Sequence, residues 1–206
     1  MSAASPAVTL SNKRITDAAI RLFAERGAEK LSVSDLALAA GVTRATIYNN
    51  CRNPAQLFGQ IVQQMAEDLQ GEIATATTHV ADPAERLTTG ICHFLSRAHD
   101  EPDWGAFIVR FALTTASLRP MLLGQPARDI AEGIEMGRFT IEREQIPAVL
   151  AMVGGSVLSH MALILDGHCS WRRAGADLAE FILRALGLDR DEARDIARRD
   201  LPALGT

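Results

Sequence analysis

The stretch Leu31–Arg52, LSVSDLALAAGVTRATIYNNCR, reads as two short helices joined by a tight turn. Ser32 can cap the first helix: its hydroxyl oxygen accepts an orphan backbone N–H, and Asp35 stands three residues on, where a capping box carries an acid. The helix then starts at Val33 and sets Leu36, Ala37 and Ala40 on one face, with small Ala37 letting a second helix cross closely. Gly41 stops it, because glycine takes the left-handed conformation after a helix end without a Cβ penalty. Val42 plugs the turn. Thr43 is the second N-cap and opens a helix of about two turns, Arg44 to Cys51, in which Ile47 points back at Leu36 and Ala37. The outward face carries Arg44, Ala45, Thr46, Tyr48, Asn49 and Asn50. One cation, small residues that permit close approach and several hydrogen-bonding groups suit a DNA major groove.

Taken alone, such a pair could be an ordinary helical hairpin whose polar face is solvated. The flanks argue otherwise. Upstream, Ile15, Ala19, Leu22 and Phe23 form the apolar stripe of a helix that can pack across the other two, and Gly27 closes it. Three helices in roughly forty residues make a compact unit of the kind that reads DNA. Residues 12–58 resemble the N-terminal domain of the tetracycline-repressor-type (TetR) family of bacterial regulators. The resemblance is carried by Ile15, Ala18, Ala19, Leu22, Phe23 and Gly27, then by Leu36, Ala37, Ala40, Gly41, Val42, Thr43, Thr46, Ile47, Tyr48 and Leu57. It implies that Arg44, Thr46 and Tyr48 contact DNA, Tyr48 chiefly at a phosphate, while Ser32 and Thr43 aim helix N-termini at phosphates.

Two positions depart from the family pattern. Cys51 stands where an aromatic residue, most often Phe, usually anchors the recognition helix. Asn53-Pro54 supplies an N-cap and a proline at the first helical position where the family tends to carry a phosphate-binding Lys.

The composition sets outer limits. With 206 residues, the chain can bury a sizeable core, and its apolar and charged fractions are ordinary for a globular protein. No segment sustains period-two alternation, so the fold class is all-α: a helix-turn-helix DNA-binding domain over 12–53, followed by a helical ligand-binding and dimerisation domain over 54–206. Residues 1–60 hold 7 Lys+Arg against 4 Asp+Glu, a balance of +3, which leaves −7 on the remainder of a chain whose net charge is −4. The basic excess thus lies with the motif. Cys51, Cys92 and Cys169 lie far apart with no CxxC, which indicates neither a disulfide framework nor a zinc motif and points to a reducing cytoplasm. No signal-peptide pattern is seen, and Met1–Ser11 reads as a flexible tail before a helix that begins near Lys13 and Arg14.

Beyond the motif, Leu57, Phe58, Ile61, Val62, Met65, Leu69 and Ile73 mark one long helix from Pro54 to about His79, with Gly59 and Gly71 as weak spots. It would belong partly to the DNA module and partly to the body, so tilting its far end could move the recognition helix. Asp82-Pro83 starts another helix, which runs out near Pro102. The stretch Trp104–Leu118 holds most of the body's aromatic mass. Residue by residue, core packing accounts for it, with Arg110 snorkelling outward; collectively, Trp104, Phe107 and Phe111, with Met152 and His160, suggest a ligand pocket. Arg119-Pro120 and Gly124-Gln125-Pro126 read as breaks before a helix from Ala127 to Met136.

Ile146–Leu165, IPAVLAMVGGSVLSHMALIL, has no formally charged residue and reaches the length of a membrane span. Pro147, Gly154-Gly155, Ser156, Ser159 and His160 lower its apolarity, and no flanking positive cluster orients it, so a buried dimer seam is the better reading. Leu178, Phe181, Ile182, Ala185 and Leu186 form its amphipathic neighbour. In the resembled family two such helices, here around 146–166 and 174–187, pair with their copies as a homodimer, which a palindromic operator needs. Asp189 and Glu192 cap a last short helix.

Enzymatic chemistry finds little support. His93 and His99 with Asp100 and Asp103, and the Asp166, His168, Cys169 group, lack metal-ligand or acid–base spacing, and no nucleophile elbow, P-loop or dinucleotide fingerprint occurs. His160 reads first as a satisfied core histidine. Two classes remain: a ligand-responsive DNA-binding regulator without catalytic residues, metal or cofactor, released from its operator by a small, largely apolar effector; or a helical binding or enzymatic protein whose motif no longer reads DNA. Repression follows from family habit. With a small anchor at Cys51 and one phosphate-binding cation missing, operator binding is expected to be weak or salt-sensitive. Titrating the complex with salt checks this, and a tight complex persisting well above physiological ionic strength would contradict it.

Overall fold

The computed structural model describes residues 6–27, 31–50 and 56–199. Among these, ten α-helices and no strand occur. Residues divide into two compact units, Met1–Met65 and Ala66–Thr206.

The first unit holds α1 (Pro6–Arg26), α2 (Val33–Ala40), α3 (Arg44–Asn50) and the start of α4 (Leu57–Thr77). Its core is the apolar set read from periodicity: Ile15, Ala19, Leu22 and Phe23 of α1, Leu36, Ala37 and Ala40 of α2, and Ile47 of α3 are all buried. Phe58 on α4 meets Phe23 edge to face, ring centroids 5.2 Å apart, in the favourable aromatic geometry. One expectation is corrected here. The helix begins at Pro6, not near Lys13, so residues 6–11 of the expected tail belong to α1; proline's fixed φ suits a first helical turn. Cys51 and Asn53-Pro54 lie outside the described residues.

The second unit contains the rest of α4 with α5 (Pro83–Asp100), α6 (Pro102–Phe111), α7 (Arg119–Glu135), α8 (Ile146–Leu165), α9 (Trp171–Ala185) and α10 (Arg190–Ala197). Helix α5 is its hub, packing against α6, α7, α8, α9 and α10. Asp82 caps α5 by accepting the Ala84 N–H at 2.9 Å, and Pro83 opens it. Burial tends to raise the Asp82 pKa, but hydrogen bonds from Arg138 and the Ala84 N–H outweigh it and hold the carboxyl below its ordinary range.

Helix α7 corrects a second expectation. It does not break at Gly124-Gln125-Pro126 but runs from Arg119 through Pro126 to Glu135. Pro120 sits in its first turn, where a missing N–H costs nothing, while Pro126 removes one backbone bond mid-helix and is tolerated because packing, not propensity, holds the helix.

Close helix approach depends on glycine at specific places. A Cβ on Gly133 would overlap the ring of buried Phe139, whereas one on Gly59 or Gly71 would meet nothing within 4 Å. Gly133→Ala is therefore expected to lower stability by about 1–3 kcal/mol through overpacking, despite alanine's better helix propensity. Gly59→Ala and Gly71→Ala should each raise it by about 0.5–1 kcal/mol. Thermal unfolding of the three variants checks the opposite signs.

Candidate nucleic-acid interface and effector cleft

The recognition element is built by local capping. Ser32 accepts the Asp35 N–H at 3.1 Å and donates its hydroxyl to the Asp35 carboxylate at 2.5 Å, which holds that carboxyl below its usual pKa. Gly41 takes φ +62°, and the N–H of Val42 returns to the Ala37 carbonyl at 3.0 Å. This is the left-handed cap that lets α3 leave at a sharp angle. Thr43 accepts the Thr46 N–H at 3.1 Å and starts α3. The Arg14 guanidinium, reaching from α1, donates to the Gly41 carbonyl at 3.1 Å and so ties the turn to the first helix. No periodicity in the sequence marks that contact; Arg14 reads there only as a helix start.

Of the expected DNA-facing residues, Ser32, Thr43, Arg44, Ala45, Tyr48 and Asn49 are exposed, and Thr46 is half-buried; the side chain of Asn50 lies outside the described residues. Tyr48 leaves 55% of its surface in solvent, an unusual exposure for a large aromatic side chain with Ile47 beside it fully buried. Arg44, Ala45, Tyr48 and Asn49 thus share the outer side of a helix anchored by Ile47.

In the second unit, an apolar cleft opens among α4, α5, α7 and α8. Ile73, Leu87, Ile91, Phe94, Val153 and Val157 contribute walls, and Arg86, Gln125 and Asp129 contribute the polar groups. Its water-sized free space is only about 20 Å³ within an envelope of about 400 Å³. Arg86 donates Nε to Asp129 Oδ1 at 2.7 Å and Nη2 to Glu132 at 2.5 Å, and Nη1 donates to the Val80 and Ala81 carbonyls at 3.1 and 2.9 Å. Burial pushes the Asp129 carboxyl upward, and the Arg86 hydrogen bond and charge oppose this.

The five residues read from sequence as a pocket do not line this cleft. Trp104 and Phe107 are core: Trp104 stacks under the Arg97 guanidinium, 4.8 Å from its ring centre, beside Phe94, and Phe107 packs on Phe111 with centroids 4.9 Å apart. Met152 is 37% exposed, whereas its neighbour Val153 is buried. His160 bonds through Nδ1 to the Ser156 carbonyl at 2.8 Å. The reason is rotational. The residues of α8 that face the cleft are Val153, Gly154 and Val157, so aromatic mass in the sequence marked packing and not a cavity.

His93 does not join His99 in a metal or acid–base site, and among the described residues no cluster able to hold a metal occurs. It is buried on α5 with Nε2 3.2 Å from the Glu72 carboxylate, which Arg97 also contacts at 2.9 Å.

The profile described as bacterial regulatory proteins, tetR family, matches residues 15–61, and that described as tetracyclin repressor-like, C-terminal domain, matches residues 82–199, more than half of the chain. The chain belongs to the TetR family. An HTH-type transcriptional regulator of Mycobacterium tuberculosis is 35% identical over 98 residues, 48% of each chain. The chain thus spans about half the length of the curated relatives it matches. Among solved structures, RolR in complex with resorcinol is 25% identical, with a TM-score of 0.69 over 97% of this chain and 98% of that one. A gamma-butyrolactone receptor, 14% identical, has a TM-score of 0.74 over 92% and 96% of the two chains and shares the fold.

Burial holds the His93 imidazole below its ordinary range, outweighing the Glu72 carboxylate; Arg97 acts in the same sense as burial and Glu101 against it. The unfolded chain takes up a proton near the ordinary value that the folded chain resists, so stability should fall as pH drops below about 6.5. Thermal unfolding from about pH 7 to about pH 5 is expected to show a smaller loss in His93→Gln than in the parent chain.

Proposed function

We propose that this chain is a ligand-responsive repressor that binds a palindromic operator as a homodimer and leaves it when a small, largely apolar effector enters the second unit. The observation that carries this reading is the pairing of an exposed recognition helix, opened by Thr43 and preceded by a helix capped at both ends, with a separate helical unit enclosing an apolar cleft. Ser32, Thr43, Arg44, Ala45, Thr46, Tyr48, Asn49 and Asn50 would form the DNA face. The dimer surface would come from α8 and α9, whose Met152, Leu163 and Phe181 remain exposed although α8 carries no charged residue. By length and composition, 143–165 could cross a membrane, but Val149, Val153, Val157, Met161 and Ile164 are buried within the unit, and a cytoplasmic protein is the better reading.

RolR, which binds resorcinol in its solved structure, supports a small-molecule effector. The cleft has room for about one water molecule, so an organic ligand must part α5 from α7 and α8. That requirement is the basis of regulation. A ligand that needs the parted form binds it in preference to the closed one, and only such a difference in affinity can shift the equilibrium. Ile73 brings α4 to the cleft wall, and α4 begins within the DNA-binding unit, so its displacement is the route by which recognition helices lose half-site spacing. The role is regulatory, with no catalytic step.

Selection of random duplex DNA by the purified protein should recover one palindrome. Arg44→Ala and Tyr48→Ala should each weaken binding to it by about 1–3 kcal/mol. Phe181→Arg should yield a monomer in analytical ultracentrifugation and lose the palindrome while keeping its helical content. Failure to recover any sequence at low salt would overturn the reading.

A further inference from the structure

We propose that the cleft selects effectors that donate a neutral hydrogen bond, a hydroxyl on a compact apolar or aromatic skeleton, to the Oδ2 oxygen of Asp129. This rests on the cleft being the effector site. Asp129 is 1% exposed. Its Oδ1 is satisfied twice, by Arg86 Nε at 2.7 Å and by Gln125 Nε2 at 3.1 Å. Its Oδ2 is buried and receives no hydrogen bond from any described protein group, although Asp129 lines the cleft. A buried acceptor without a donor is costly, so a ligand that brings an O–H to it gains more than the same ligand would in a wholly apolar slot.

The neighbouring groups narrow the class. Gln125 cannot turn its amide to serve a ligand, because its Oε1 accepts from Arg128 at 2.6 Å while Nε2 serves Asp129. Four of the five Arg86 N–H groups go to Asp129, Glu132 and the Val80 and Ala81 carbonyls, so the guanidinium is committed to the protein and offers an anionic ligand little. A carboxylate or phosphate would also face the acceptor Oδ2. A cation would enter an apolar slot beside Arg86, whose charge already offsets that of Asp129. A neutral donor meets neither obstacle. Phe94, Pro126 and Val157 provide the apolar surface for the remaining skeleton.

Gly90 of α5 provides an independent handle. It lines the cleft, and a Cβ built there meets nothing within 4 Å, so a larger side chain would occupy the ligand's space without displacing protein atoms at its first carbon.

The test is calorimetric titration of the full-length protein with phenol and 2-naphthol against their methyl ethers, anisole and 2-methoxynaphthalene, which keep the ring and lose the donor. At least one alcohol is expected to bind about tenfold or more tightly than its ether. In Asp129→Asn, the side-chain carbonyl takes the Arg86 N–H and turns the amide NH2 into the cleft, so the preference should shrink or reverse toward the ether. Gly90→Val should abolish binding of every probe with its circular dichroism unchanged. If Asp129→Asn does not fold, the alcohol–ether comparison and Gly90→Val decide. Equal affinity for alcohol and ether, with Gly90→Val still blocking both, would sink the hydroxyl rule and leave the cleft as the effector site. Binding that survives Gly90→Val would remove the cleft itself. A protein that selects an operator but binds none of the probes would overturn the inference while the regulator reading stands.

Discussion

Burial of α5 among α6, α7, α8 and α9 means that a charge on it must be paired or pay heavily for lost solvation, and Arg86 is one such charge. Its side chain keeps 11% of its exposure and reaches Asp129, which keeps 2%. The pair links α5 to α7 across 43 residues of sequence, while the Val80 and Ala81 carbonyls hold Arg86 to the segment before α5. Such a pair adds little net stability over apolar packing, but removing one partner strands the other charge. Its effect is therefore on geometry. It fixes the spacing of α5 and α7, and with it the width of the cleft and the direction of the carboxylate that faces it.

The rest of the second unit is arranged around this fixed distance. Gly175 lets α9 approach until a Cβ there would stand 2.9 Å from Cys92 Sγ, and Gly105 brings α6 against Ala98. Cys92 is enclosed so well that burial pushes its thiol up to about 11, which leaves it a packing group and not a nucleophile. Helices held this closely do not deform continuously; they move between discrete packings. Pro126, about one helical turn before Asp129 in α7, is where that helix lacks a backbone bond beside the cleft.

The first unit follows a different logic. Its geometry comes from short-range capping at Ser32, Gly41 and Thr43, with Ile47 and the Phe23–Phe58 pair anchoring the helices from within. A long-range bond from Arg14 to the Gly41 carbonyl holds the turn. The result is a recognition helix whose inner side is fixed by packing and whose outer side is open to solvent or a groove.

These two logics explain what was legible in the residues alone. The helix-turn-helix could be read because caps, glycine turns and apolar stripes act over three to eight residues, and Leu36, Ala37, Ala40 and Ile47 follow that spacing. The all-α class and the order of helices were legible for the same reason. Pro126 was misjudged because proline's local preference was weighed without the packing that overrides it, and the start of α1 because the fit of Pro6 to a first helical turn was not weighed. The cleft was beyond such reading. Aromatic residues at Trp104, Phe107 and Phe111 marked a core, whereas the cleft depends on Arg86, Gln125 and Asp129, which look like surface charges and amides in a polar run. Sequence by itself determined the recognition helix and the helical body, since both rest on local periodicity; only the tertiary structure decided that Asp129 is buried with one oxygen lacking a donor among the described residues, because that follows from helices distant in the chain enclosing it.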